Sequence, residues 1–455
     1  MSELNLTPWL ITWVATMVAV LLILSLRRVH TGGLIVAYFL TTAVNYFFGA
    51  AIHALPWLDR LDYIYVYRGF VLTTWGMIAF STGCLIFLLV SRIWLERRFR
   101  SVPKYTPEEK LPLTYFFIGV IIYFVIYPLI QSIPSVGLLG HSGWFLMIAG
   151  ICLAAADAWR QRQSGKLIRW IILALFFPFI TVVSQGFMSF GMVAVITVLA
   201  FVSSFYRPKW KILVAGVIFM YLGLSLYVTY FRDRTEIRET VWQEEAPMIE
   251  KVNKFANTLK NYELFDIYNV RHLDFIDMRL NQNILVGKSV EFIDSGQERF
   301  AYGQTYLDAL LALVPRFFWP DKPMSTGGSE LVSRYTGEAF SELTTVGIGQ
   351  TMEFYINFGF WGVIAGYFIL GVVIAFFDSM TGFWLQKGEY KRCVFWLLSG
   401  MALLQAADSL VEMAGTMAAS IFFMVMINQF VLSRVSPRLV SIRALIDRTR
   451  RRKAL

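Results

Sequence analysis

The sequence predicts an all-α polytopic integral membrane protein of about eleven transmembrane helices, with a large outward-facing helical cap and a re-entrant segment. Three observations carry this. Hydrophobic residues make up 57% of the 455, aromatic residues 16%, and charged residues only 16%. A soluble domain carries about 25% charged and about 45–50% apolar residues. So few polar side chains could not cover the roughly three globules a soluble chain of this length would form. Second, apolar runs near the roughly 20 residues needed to cross the hydrocarbon recur along the chain. Third, Lys and Arg are distributed very unevenly among the loops between those runs. The aromatic content also excludes a disordered chain.

The spans are expected in order at 9–26, 34–55, 69–91, 113–130, 136–157, 167–183, 188–206, 211–230, 351–377, 393–412 and 414–432. Residues 1–230 thus form eight spans, 351–432 three more, and 433–455 a basic tail. Met1 to Pro8 contain no Lys or Arg, so no signal-peptide n-region is evident and the first span is expected to remain as an anchor. The 167–206 stretch is broken only at Ser184-Gln185-Gly186, which reads as a tight helical hairpin. Segment 231–350 holds 18 of the 31 acidic residues and 13 of the 41 basic ones. Its mixed charge and aromatic content predict a folded cap, with helices over 243–262 and 263–280. Within it, 305–319 is apolar but short and is interrupted by Pro315 and Arg316; a re-entrant or interfacial segment over 305–323 is expected.

Orientation follows from the short loops. One side holds 26 Lys and Arg, the other only Arg60 and Arg68. The positive-inside rule then puts the N-terminus and the cap outside and the C-terminus in the cytoplasm. The Arg448–Lys453 cluster therefore reads as an anchor to anionic lipid, and nucleic acid is not an expected partner. Cys84, Cys152 and Cys393 sit in apolar runs and read as small core residues. No Walker loop, Rossmann glycine pattern or His/Cys metal spacing occurs, so neither metal nor cofactor is expected.

Chemistry is sought among polar residues near the outer ends of spans. Glu353, His53 and His141 lie there, as do Asp408 and Glu412, which share one helix face at i, i+4. Acids in membrane helices are costly and usually face a cavity or a partner. The most distinctive run is Pro315-Arg316-Phe317-Phe318-Trp319-Pro320-Asp321-Lys322-Pro323. Three prolines hold it extended, and Arg316 and Lys322 stand among interfacial aromatics, where they suit a lipid phosphate. Ser333-Arg334-Tyr335-Thr336-Gly337-Glu338 follows, then Gln350-Thr351-Met352-Glu353-Phe354-Tyr355-Ile356-Asn357-Phe358-Gly359-Phe360-Trp361-Gly362. Gly362 and Gly366, four apart, read as a close-packing face.

The Pro-Arg-aromatic-Trp-Pro-x-Lys-Pro run, the long outward loop and the Asn-Phe-Gly-x-x-Gly helix entry resemble those of the Wzy-type oligosaccharide repeat-unit polymerases, over roughly residues 305–371. The resemblance implies a GT-C-like architecture in the bacterial inner membrane with a periplasm-facing site. It implies glycosyl transfer from undecaprenyl pyrophosphate to an incoming lipid-linked repeat unit, without metal or nucleotide. A chain-length regulator and a flippase would be further partners. Such chemistry needs charge for the leaving pyrophosphate and a base for the attacking hydroxyl. Arg316 is then expected to clamp pyrophosphate with Arg232, Arg234 or Arg299. Glu338 or Glu353 is the expected base, and Lys322, Arg334, Tyr355 and Asp408 are further substrate contacts.

Two other classes stay open. One is a sibling enzyme, either a glycan ligase or a transferase using polyprenyl-phosphate sugars. The ligase histidine has a single candidate counterpart, His272, and Asp59-Arg60-Leu61-Asp62 faintly echoes a transferase acidic pair. The other is a transporter or flippase of lipid-linked glycan, against which stand the lack of paired halves and the single large cap.

Overall fold

A computed structural model describes residues 4–433 and 438–439, apart from 27–30, 59, 99–101, 131–136, 207–208, 243–247, 315–318, 320, 323–326, 341–345 and 434–437. Most of the described residues are helical. The first eight helices are α1 (Thr7–Leu26), α2 (Leu34–His53), α3 (Tyr63–Arg98), α4 (Leu111–Ile130), α5 (Gly137–Arg160), α6 (Ser164–Gln185), α7 (Ser189–Phe205) and α8 (Lys209–Arg232). Six short helices follow: α9 (Arg234–Trp242), α10 (Met248–Lys260), α11 (Val270–Asp277), α12 (Asn283–Asp294), α13 (Gln304–Ala312) and α14 (Gly328–Thr336). The chain then forms α15 (Gln350–Lys387), α16 (Tyr390–Met401) and α17 (Leu410–Val431). Among the described residues, the one strand pairing joins Tyr105–Thr106 antiparallel to Arg438–Leu439. Nine helices among those residues are long and apolar enough to cross a membrane, and α7 is a shorter apolar helix.

The core lies where α15 packs along α3. Gly371 sits against the Phe80 backbone, Gly83 against Phe368 and Gly76 against the Tyr367 ring, so small residues let the two helices approach closely. Tyr38, Phe80 and Phe70 fill the space beside them, with Tyr38 stacked on Phe80 at 4.6 Å.

Three elements differ from the spans and helices expected above. First, α15 is two arms, because Phe358 (φ −144°) and Gly359 (φ 61°, ψ −146°) leave the helical region. A straight helix would separate Phe354 from Tyr367 by roughly 20 Å, yet their rings lie 5.3 Å apart. Residues 350–357 therefore fold back on the rest of α15. Gly362 and Gly366 make room for Phe354 of that arm, so they serve packing within one helix. Gly359 occupies backbone space that only glycine enters without strain.

Second, the expected span 393–412 stops at Met401, and 402–409 are turns. The carbonyls of this stretch are already used: Gln350 Nε2 donates to Gln405 O (2.8 Å), and the Gly349 amide donates to Ala407 O (2.9 Å). A helical ladder cannot claim acceptors that another segment holds. The next helix starts at Leu410 behind a Ser409–Glu412 capping box.

Third, the expected helix 263–280 shrinks to α11. The Glu263 and Phe265 amides bond Thr229 Oγ1 (3.0 Å) and Ser225 Oγ (2.9 Å) of α8, which holds the chain extended there. Asn269 then caps α11 through the Arg271 amide. Of the expected helix 243–262, residues 248–260 form α10, while 243–247 lie outside the described residues.

Candidate functional site

A cavity of about 2410 Å3 opens between α1, α2, α7 and α8. This is more than twice the roughly 1,000 Å3 upper range of pockets that take a small molecule. Most of its wall is apolar: Met17 and Leu21 of α1, Leu40 of α2, and Phe219 and Met220 of α8 are typical. Val14, Leu22, Val217 and Met220 line it and are also exposed, so the wall opens sideways between α1 and α8. The opening exists because α8 stands apart. It packs on α10 and α11, and Gly223 touches Met192 of α7.

One end of the cavity is polar. Arg234 and Arg238 reach it from α9 and Arg279 from the turn after α11. Arg234 and Arg238 are four residues apart and share one helix face. The Arg234 guanidinium lies 5.2 Å from the Phe231 ring, and that of Arg238 lies 4.4 Å from the Phe187 ring. Arg238 Nε also donates to Gly186 O (3.2 Å), which accepts Tyr230 OH as well (2.7 Å). The break after α6 thus anchors one arginine of the group. Burial, and then the charge of Arg234, push Arg238 and Arg279 below the ordinary guanidinium range. Among the described residues no carboxylate forms a salt bridge with Arg234 or Arg279. Arg234 raises the cost of charge on both its neighbours, and cations so placed favour an anion between them.

The rim continues from Arg279 through Asn281 and Gln282. The Gln282 amide donates to Asn45 O of α2 (2.9 Å), which fastens this stretch to the membrane helices. Gln282 lies beside Gly349, whose amide holds Ala407, and Asp408, which lines the cavity, follows. Glu412, in the first turn of α17, also lines it; Asp408 precedes that helix, so the two do not share the helix face expected from their spacing.

A buried network secures the same rim. His53 Nε2 contacts both Asp277 oxygens (3.0 and 3.1 Å), and Asn281 Nδ2 donates to Asp277 Oδ1 (2.7 Å). Arg60 donates to Asp277 Oδ2 (3.0 Å) and to Asp274 Oδ1 (2.7 Å). Burial pushes Asp277 up, but His53, Asn281 and Arg60 together more than reverse this and hold its carboxyl below the usual range.

A family model described as Domain of unknown function (DUF8712) matches residues 37–403 of the 455. The chain belongs to this family. No curated protein and no solved structure matches it. The DUF8712 match runs from within α2 to the end of α16 and takes in all three arginines, whereas Asp408 and Glu412 follow its last residue.

Of the residues singled out in the sequence, Arg60, Asp62, Arg234, Asp408 and Glu412 line the cavity of this DUF8712 member. Arg316 lies outside the described residues. Arg232 points elsewhere, held by Asp233 (2.8 Å) and Glu263. Arg299 is exposed beside Glu298, which binds Arg334 (3.0 Å), and Glu338 pairs with Lys288 (2.6 Å). Lys322 Nζ donates to Val314 O (3.1 Å). Tyr355 is buried with its ring 6.1 Å from Phe300. Glu353 is fully buried in the folded-back arm, and its Oε2 accepts the Leu410 amide (2.7 Å), so it caps α17. His272 is occupied on both ring nitrogens, by the Asp266 amide (3.1 Å) and Glu263 (3.2 Å). Among the described residues no group of three or more His, Cys, Asp or Glu is arranged to hold a metal ion.

Arg238 and Arg279 were not singled out by sequence reasoning. The i, i+4 spacing of Arg234 and Arg238 was the available signal, since like charges at that spacing destabilise a helix unless something lies between them.

Proposed function

We propose that the protein is a glycosyltransferase of the oligosaccharide-polymerase type. It would transfer a glycan from a polyprenyl diphosphate carrier to the sugar end of a second lipid-linked unit, at the outer face of a bacterial inner membrane. The observation that carries this reading is the junction of two environments. A long apolar cavity open toward the bilayer ends at three arginines. A polyprenyl diphosphate has the same division, with an apolar chain and a dianionic head. Guanidinium forks match phosphate oxygens and neutralise charge as the diphosphate departs. The positive-inside count of 26 against 2 supports the orientation, with the cap and the arginines outside.

In this reading Arg234, Arg238 and Arg279 hold the diphosphate. The donor carries its own activation in the sugar–phosphate bond, so the protein supplies position and electrostatics.

A transporter of lipid-linked glycan is the second reading, favoured by the sideways opening and the cavity's size. One experiment separates them. Purified protein in proteoliposomes is supplied with a synthetic polyprenyl-diphosphate oligosaccharide. A ladder of elongated glycans supports transfer. Movement of the lipid across the bilayer without elongation refutes it in favour of transport.

A further inference from the structure

Resting on that transfer reading, we propose that Asp408 is the group that accepts the proton of the attacking sugar hydroxyl. The carboxylates expected for this role, Glu338 and Glu353, are engaged in an ion pair and a helix cap, and neither lines the cavity. Among the described residues four acids do line it: Asp62, Asp277, Asp408 and Glu412. Asp277 already accepts from His53, Arg60 and Asn281. Glu412 Oε2 is taken by the Ser409 amide (2.8 Å) and hydroxyl (2.9 Å) in the capping box. Asp408 forms no ion pair or carboxylate hydrogen bond with the described residues.

Position separates it from Asp62. Asp408 directly follows a turn whose carbonyls are held at Gln405 and Ala407, by Gln350 Nε2 (2.8 Å) and the Gly349 amide (2.9 Å). Gly347 presses so closely on Ala407 that a side chain there would collide with its carbonyl oxygen. The turn is therefore fixed from both sides, and a short side chain holds the carboxylate close to that fixed backbone. A positioned acid or base of this kind contributes about 10²–10⁴ in rate. Asp62 sits in the turn just before α3, where the described contact is its carbonyl accepting the Val66 amide (3.1 Å).

In the step, the acceptor hydroxyl oxygen bonds the anomeric carbon. The bond from that carbon to the diphosphate oxygen breaks, and its electron pair leaves with the diphosphate. The hydroxyl proton passes to Asp408 and from there to water in the cavity.

The test uses the full chain in nanodiscs with the synthetic polyprenyl-diphosphate oligosaccharide. The kcat and KM of wild type, Asp408→Asn, Asp408→Glu and Asp62→Asn are measured against pH, with binding of the lipid measured separately. Asp408→Asn is expected to lower kcat at least about 100-fold. It should keep KM and lipid binding within about threefold, and lose the ionisation that raises the rate with pH. Asp408→Glu should restore part of the rate and that ionisation. Wild-type rate and pH profile in Asp408→Asn overturn the proposal, as does loss of the ionisation in Asp62→Asn instead. If wild type binds the lipid and forms no glycosidic bond, the transfer reading itself falls, a result that the first two outcomes cannot produce.

Discussion

Asp277 ties the segment that carries Arg279 to the membrane helices, and its removal gives a sharp test of the site's construction. Its side chain is 9% exposed and meets a His53 ring that is fully buried, while Arg60 is 17% exposed. Removing one partner of a buried charged pair costs about 3–5 kcal/mol, because the other is left uncompensated. Arg60 keeps Asp274, so the low end applies to Asp277→Ala, about 3 kcal/mol. If the loss appears as local opening of α11 from α2, the opening equilibrium rises about 150-fold. Hydrogen exchange of the Val270–Asp277 amides, read by mass spectrometry in nanodiscs, measures this directly. Asp274→Ala is the contrast: Asp274 is 47% exposed, and an exposed pair is worth about 0–1 kcal/mol, or less than about fivefold in exchange. Equal acceleration in the two variants, or a change under about threefold in Asp277→Ala, would refute the view that this network holds the rim.

Three further outcomes follow from the same geometry. Arg238→Ala with Arg279→Ala should weaken binding of a fluorescent polyprenyl diphosphate at least about tenfold, as expected for charge-assisted bonds of about 1.5–3 kcal/mol. The dependence of binding on salt should fall in parallel, as titrations at two ionic strengths would show. Gly359→Ala should destabilise the folded-back arm by about 1–3 kcal/mol, since a side chain at φ 61°, ψ −146° is strained; the thermal unfolding midpoint in detergent reports it. The Arg232 hydrogen bonds hold the Asp233 and Glu263 carboxyls below their ordinary range. Their stabilisation is therefore complete above the unfolded values of about 3.9 and 4.3 and is lost as pH falls through the lower folded values. Exchange of the Met248–Lys260 amides should be flat from pH 7 to about 5, after correction for intrinsic rates, and accelerate below about 4. Arg232→Gln should abolish that acid dependence.

Much of the bundle is legible from apolar run length alone, because crossing hydrocarbon demands continuous helix. The break at Gly186 is legible too, as polar residues and a glycine interrupt the run where α6 ends. The fold-back at Phe358–Gly359 is not. Its flanks are as apolar as a straight span, and the reversal depends on Phe354 finding room at Gly362 and Gly366. The turn before Asp408 is hidden for a similar reason, since Gln350 and Gly349, more than fifty residues earlier, claim its carbonyls. In the site, Arg234 and Arg238 are near neighbours in sequence. Arg279 joins them only because extended residues 263 and 265 bond to α8 and bring α11 back beside it.

The solitary position of α8 has a further consequence. A wall fastened along one edge swings without disturbing the packed helices behind it, and its free face exchanges contacts with whatever hydrocarbon surrounds it. The width of the sideways entrance is then governed by the host bilayer as much as by the polypeptide. Membranes of different thickness would set this doorway at different widths, and lipid composition becomes a means of tuning access.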